Sequence, residues 1–226
     1  MPVGQSKRLP RFFLGEPVVA RRRSIVYIDG FNLYYGVIRG SAHKWLNIQR
    51  FFERLRADDD LCQVYYFTAL VEGPSRVDQI VYLRAFETLP LVTIVLGRFK
   101  TRRRRCLVAA CDHAGNRFFG EPEEKRSDVN IALQMLEDAY EDQCDNLVLV
   151  SGDSDLVPAI GKVKSRFPGK RVIVYVPATD PVRAAAVELR SAADRARALP
   201  LDLLKHCQLP QEINVDGGTI CKPATW

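Results

Sequence analysis

A parallel β-sheet covered by helices on both faces is the fold class this sequence predicts. Three observations carry the expectation. Short β-branched apolar runs recur at strand length, segments with helical spacing separate most of them, and 226 residues suffice to bury one sizeable core. In such sheets crossovers are right-handed and chemistry collects at the carboxyl ends of the strands.

Each element has its own signal. "SIVYID" (24–29) is a buried strand, and "FNLYYGVIRG" after it spaces Leu33, Val37 and Ile38 as a helix, with Gly36 a weak point and Gly40 a stop. A helix is expected over 47–56, a strand over 61–70, a helix over 76–89 and a strand over 91–99. Residues 100–122 interrupt this rhythm with a basic run and an irregular hairpin or loop around Gly115-Asn116. Alternation resumes with a helix over 127–140, a strand over 146–152, a helix over 155–167 and a strand over 171–177. One or two short helices fit 181–198, and a Pro- and Gly-rich tail ends in "GGTICKPATW". The expected organisation is a basic arm over 1–23, a domain over 24–200 with the insertion at about 100–122, and a tail over 201–226 packing on the domain.

With 47% hydrophobic and 27% charged residues, the composition is that of an ordinary globular protein. No apolar run approaches the roughly 18 to 20 residues of a membrane span, and no secretory leader is apparent, so a cytoplasmic location is expected. Six scattered cysteines suit reduced thiols better than disulfide staples. The net charge of +6 is concentrated: residues 1–23 hold six Lys/Arg against one Glu, and residues 98–105 hold six with no acid. Basic blocks on a slightly acidic body point to an anionic polymer as partner.

The acidic residues supply the chemistry. Asp29 ends the first strand, Asp153 and Asp155 follow the strand "NLVLVSG", and Asp128 lies in the first turn of the helix starting at Ser127. Neighbouring strands would bring these four carboxylates into one pocket, which needs a cation or protons to be tenable. The donor set suits hard Mg²⁺ or Mn²⁺, and lacks the His or Cys ligands of zinc sites. Each acid also has a plainer use, since Asp and Ser cap helices. Asn32 stands on the first helical turn beside Asp29, where it either caps or orients water or phosphate. No Gly-x-Gly-x-x-Gly follows the first strand and no Gly-Lys-Ser/Thr loop occurs, so the usual phosphate cradles are missing. Phe31 occupies the position where an aspartyl phosphotransferase would carry its second acid.

"YIDGFNLYYG", "EEKRSDVNIALQMLEDAY" and "LVLVSGDSDLVPAI", in this order, resemble the NYN domain family (LabA-like proteins) of the PIN-like nuclease superfamily, and the closing segment resembles the tail of bacterial members. The resemblance implies a three-layer α/β/α sandwich, Rossmann-like in layering, and a metal-dependent ribonuclease using Mg²⁺ or Mn²⁺. It implies catalytic roles for Asp29, Asn32, Asp128, Asp153 and Asp155, with the four aspartates as metal ligands. Ser151 or Ser154 would hold a ligand or water, and Glu87 or Glu124 a further acid. Arg102, Arg103, Arg104 and Arg105, with Lys125 and Arg126, are expected to bind RNA backbone, and Phe118 and Phe119 either to stack bases or to pack in the core. Cys106, Cys111 and His113 raise a zinc clip in the insertion that lacks a fourth ligand. The expected partner is RNA and no membrane, with homo-oligomerisation open. The competing expectations are a non-catalytic RNA-binding or scaffold protein of the same fold, and a metal-dependent phosphatase or nucleotide hydrolase acting on small molecules.

Overall fold

The computed structural model describes residues 20–108, 117–178 and 187–226. Six strands form one parallel sheet: β1 (Arg23–Asp29), β2 (Asp60–Thr68), β3 (Val92–Leu96), β6 (Asn146–Val150), β7 (Arg171–Val176) and β8 (Arg195–Ala198). Their spatial order is β3-β2-β1-β6-β7-β8. The chain therefore builds outward from β1 to β3, then returns to place β6 on the other side of β1. The crevice between β1 and β6 is the point where the winding reverses, the place where such sheets bind ligands.

Alternation along β1 explains the two cores. Val26 and Ile28 point to one face, where they pack with residues of α2 (Ile48–Leu55) and α3 (Ser75–Phe86). Ile25 and Tyr27 point to the other, against α4 (Ser127–Tyr140), α5 (Val157–Arg166) and α6 (Val187–Ala192). Apolar side chains on both faces of one strand require both faces to be covered, hence three layers. Among the described residues, no helix is long and apolar enough to cross a membrane.

The helical turn after β1 is α1 (Gly30–Leu33) running into a π-helical turn at Tyr34–Ile38. Gly36 is not merely a weak point there: a Cβ on it would lie 1.9 Å from the carbonyl oxygen of Pro177. The close approach of two backbones fixes that residue.

The structure departs from expectation in four places. The strand expected over 91–99 is two strands, because Gly97 bends the chain where a Cβ would meet the Lys125 carbonyl and Ser127 Oγ at 2.9 Å. Of the expected irregular hairpin or loop the structure shows a hairpin with regular arms: β4 (Arg98–Arg105) pairs antiparallel with β5 (Phe118–Lys125) in continuous register, while Gly115-Asn116 lies outside the described residues. Arg195–Ala198, expected as helix, is the edge strand β8, while the adjacent residues 179–186 lie outside the description. The tail contains a hairpin, β9 (Glu212–Val215) with β10 (Gly218–Cys221), closed by Asp216-Gly217 with Gly217 at φ +90°. At its end Trp226 sets its ring against Trp45 and Tyr82, with centroids 6.1 and 5.1 Å away.

Candidate metal centre at the sheet's reversal point

β1 ends on Asp29, whose extended backbone caps α1. Its Oδ1 accepts from the Asn32 backbone N–H (3.0 Å), and its Oδ2 accepts from Asn32 Nδ2 (2.5 Å) and Ser151 Oγ (3.1 Å). Asn32 Oδ1 in turn accepts from the Gly152 N–H (3.1 Å), so this side chain ties the ends of β1 and β6 together. Ser151, fully buried, also accepts from the Asp153 N–H (3.1 Å), and Asp153 Oδ1 accepts from the Asp155 N–H (2.9 Å). One continuous hydrogen-bond chain thus runs from Asp29 through Ser151 to Asp153 and Asp155. Capping and ligation are not alternatives: Asp153 caps the 3₁₀ turn Ser154–Leu156 with one oxygen, and its other oxygen has no such duty.

Asp128 arrives from a different direction. The β4–β5 ribbon leaves the carboxyl end of β3 and returns at Lys125, where Arg126 adopts a left-handed conformation (φ 85°) and α4 begins. Such a conformation is uncommon for a residue with a Cβ, and here it turns the chain so that the first turn of α4 faces the β6 loop. Carboxylate oxygens of Asp128, Asp153 and Asp155 lie within 4.8 Å of one another. Asp29 is not a member of that group; it stands behind it, buried at 3% exposure.

The electrostatics follow from this crowding. Burial pushes Asp128 up to about 6, helped by the charges of Asp153, Asp29 and Asp155. Burial also raises Asp29, against the lowering influence of its bonds to Asn32 and Ser151, while Asp153 raises it further. Glu124, on the ribbon's return strand, is pushed up to about 7 by burial and by Asp29 and Asp128, although Ser127 Oγ donates a hydrogen bond to it. Carboxyls held up by one another are short of positive charge. The donor set is all oxygen, and among the described residues no histidine or cysteine joins the group. That combination fits a hard divalent cation such as Mg²⁺ or Mn²⁺.

Of the residues expected from the sequence, Asp29, Asn32, Asp128, Asp153 and Asp155 are brought together at one edge, with Glu124 beside them. Glu87 sits exposed at the C-terminal end of α3. Arg102, Arg103, Arg104 and Arg105 lie exposed along β4, with Lys125 and Arg126 exposed where the ribbon returns. Lys125 pairs with Glu123 at 2.5 Å, and Arg102 reaches the same residue at 4.0 Å. Phe118 and Phe119 are not core residues: both stand exposed on β5, and the Arg103 guanidinium lies 4.4 Å over the Phe118 ring. Cys106 is a free thiol, whereas Cys111 and His113 lie outside the described residues.

Two features escaped the sequence reading. The hub role of Ser151 has no signal beyond its place at a strand end. An aromatic row also borders the acids: Phe31 packs edge-on against Phe99 of β4 (5.3 Å) and stacks on Tyr35 (6.1 Å), whose ring carries Arg39 at 5.4 Å. "FNLYY" after a strand-end acid was the available hint.

A protein of unknown function from Vibrio parahaemolyticus has a solved structure similar to this one, with TM-score 0.52 and 21% identity, covering 84% of this chain and 98% of that one. In sequence, the chain is 28% identical over 236 residues to 6-hydroxy-3-succinoylpyridine 3-monooxygenase of Pseudomonas putida, covering 90% of this chain and 75% of that protein. The NYN domain matches residues 23–201, from the first residue of β1 to just past β8. A match of that extent, over a sheet whose reversal point carries the acidic group, shows that the chain belongs to the NYN domain family.

Proposed function

We propose that this protein is a divalent-metal-dependent ribonuclease that hydrolyses phosphodiester bonds of RNA. The observation that carries the reading is the convergence of Asp128, Asp153 and Asp155 where the sheet reverses, in a domain of the PIN-like nuclease superfamily. These three carboxylates would hold Mg²⁺ or Mn²⁺, which supplies Lewis acidity toward water and toward the phosphoryl oxygens. Asp29 fixes Ser151 and Asn32 and adds negative charge behind the group. Asn32 spends its carbonyl on Gly152 and its amide on Asp29, so it holds the β1 and β6 ends at a constant spacing. The exposed cations of the ribbon, Arg102 to Arg105 with Lys125 and Arg126, lie along the approach and would bind backbone phosphates without reading sequence.

The test is cleavage of labelled single-stranded and structured RNAs in Mg²⁺, Mn²⁺ or EDTA, with Asp153→Asn purified alongside. Cleavage should require the divalent ion and fall at least about 100-fold in the variant. Activity equal in the variant and in EDTA would overturn the reading, and retained salt-sensitive binding without cleavage would favour a non-catalytic RNA-binding protein.

The Pseudomonas relative brings a second reading, favoured by its similarity along 90% of the chain. Monooxygenation consumes dioxygen and two electrons, so it requires an electron donor. Against it, the β1 turn Asp29-Gly30-Phe31-Asn32 lacks the glycine pattern that cradles a dinucleotide. Dioxygen uptake with a hydroxypyridine and a reduced nicotinamide would support this second reading.

A further inference from the structure

The acidic group sits at the carboxyl ends of β1 and β6, and a different site lies beside the outer strands. From the starts of β6 and β7 along to Ala198 and Pro200, a cleft of about 700 Å³ opens between these strands and the C-terminal end of α2. Five arginines line it: Arg22, Arg56, Arg171, Arg195 and Arg197. The sequence Arg-Ala-Arg-Ala of β8 puts Arg195 and Arg197 on the same face, in register with Ile173 and Tyr175 of β7. β8 is the edge of the sheet, so among the described residues no further strand lies beside these two side chains.

Asp58, Asp59 and Asp194 share the lining, but two of them are already engaged. Asp59 takes Arg56 and Ser24 Oγ, each at 2.5 Å, and Asn146 Nδ2 at 3.0 Å. Asp194 takes the Val172 N–H at 2.8 Å and the Lys164 ammonium at 3.0 Å. Among the described residues, Arg22, Arg171, Arg195 and Arg197 have no carboxylate at ion-pair distance. Asn146 also lines the cleft, nearly fully buried: Nδ2 is held by Ser24 and Asp59, while Oδ1 is closed off from solvent with no donor among the described residues.

We propose that this cleft binds a phosphate-bearing ligand of nucleotide size. Arginine forks match phosphate oxygens two at a time, which suits four guanidinium groups that have no carboxylate at ion-pair distance around one opening. The volume lies within the range of small-molecule sites, and Leu55, Ile173 and Tyr175 supply an apolar wall for a ring. The phosphate belongs either to a free nucleotide or to the 5′ end of an RNA strand. The site stands independently of the ribonuclease reading, since it shares no residue with the acidic group.

Calorimetric titration of the full chain in EDTA tests it, using ADP, inorganic pyrophosphate, and one oligoribonucleotide with a 5′-phosphate or a 5′-hydroxyl. Wild type and Asp153→Asn should bind a phosphorylated probe equally. Arg195→Ala/Arg197→Ala should weaken it at least about tenfold, and Arg22→Ala, which leaves the sheet intact, should weaken it less. Tight ADP or pyrophosphate binding assigns a free nucleotide, whereas binding confined to the 5′-phosphorylated strand assigns an RNA end. Absence of binding by every probe, or affinity unchanged in the folded arginine variants, overturns the proposal.

Discussion

Asp128 illustrates how a side chain that is electrostatically unfavourable in the fold can be the one proposed to hold a cation. Its carboxyl is pushed up to about 6 by burial and by three neighbouring acids, so the folded protein holds a proton there that the unfolded chain releases near 4. The stability this proton brings is fully present below about pH 4 and is lost as pH rises through about 6. In EDTA the melting temperature should therefore fall across that window. Asp128→Asn should flatten the fall and raise Tm at pH 7 by roughly 2–4 °C, the equivalent of about 1 kcal/mol once the half-exposed side chain is discounted for solvent screening. Mn²⁺ or Mg²⁺ should stabilise the wild type and not the variant, and a pH series of melting curves with and without the ion checks all three outcomes. Ser151 tests the opposite case, a residue whose worth is entirely in its bonds. Ser151→Ala removes the donor to Asp29 and the acceptor for the Asp153 N–H in a fully buried setting, and should cost about 1–3 kcal/mol in urea unfolding. Cleavage should drop with it although no proposed ligand has changed.

At the scale of elements, what was legible depended on whether the local pattern and the tertiary environment agreed. The helix expected over 127–140 is Ser127–Tyr140 without adjustment, because its apolar spacing and buried face agree even though its N-cap, Arg126, makes no side-chain capping bond. The strand ends bearing Asp29 and Asp153 were legible for the same reason, and with them the place of the candidate site. β8 was not: alanine and arginine have little strand preference, and only pairing with β7 makes Arg195–Ala198 extended. The basic ribbon failed differently, since Gly97 divides one apolar run into two strands for reasons that lie in Lys125 and Ser127, far along the chain. The π-helical turn gives a direct test of such tertiary constraints. Gly36→Ala must push Pro177 away and should destabilise by about 1–3 kcal/mol. Gly161→Ala in α5, where a Cβ meets nothing within 4 Å, should stabilise by roughly 0.5–1 kcal/mol, and thermal melts of the two variants should move in opposite directions.

For the whole molecule, the charge distribution visible in composition becomes a polarity of shape. The ribbon carries Arg98 to Arg105 away from the sheet on the side of the acids, so on the proposed reading these cations would meet a polyanion before the carboxylates do. Replacing Arg102 to Arg105 with alanine should weaken RNA binding across sequences and lower the slope of log affinity against log salt by about 2–4, measured by fluorescence anisotropy in EDTA. Catalysis at saturating RNA should change much less than affinity, which separates gripping from cutting.

The docking of Trp226 has an optical consequence. The protein has two tryptophans, and both belong to one aromatic cluster with Tyr82. Intrinsic fluorescence is therefore a local gauge. A chain shortened by its last residue should lose the close-ring signature in near-ultraviolet dichroism, and a non-absorbing ligand that shifts the tryptophan emission maximum of the intact protein reports on this corner of it.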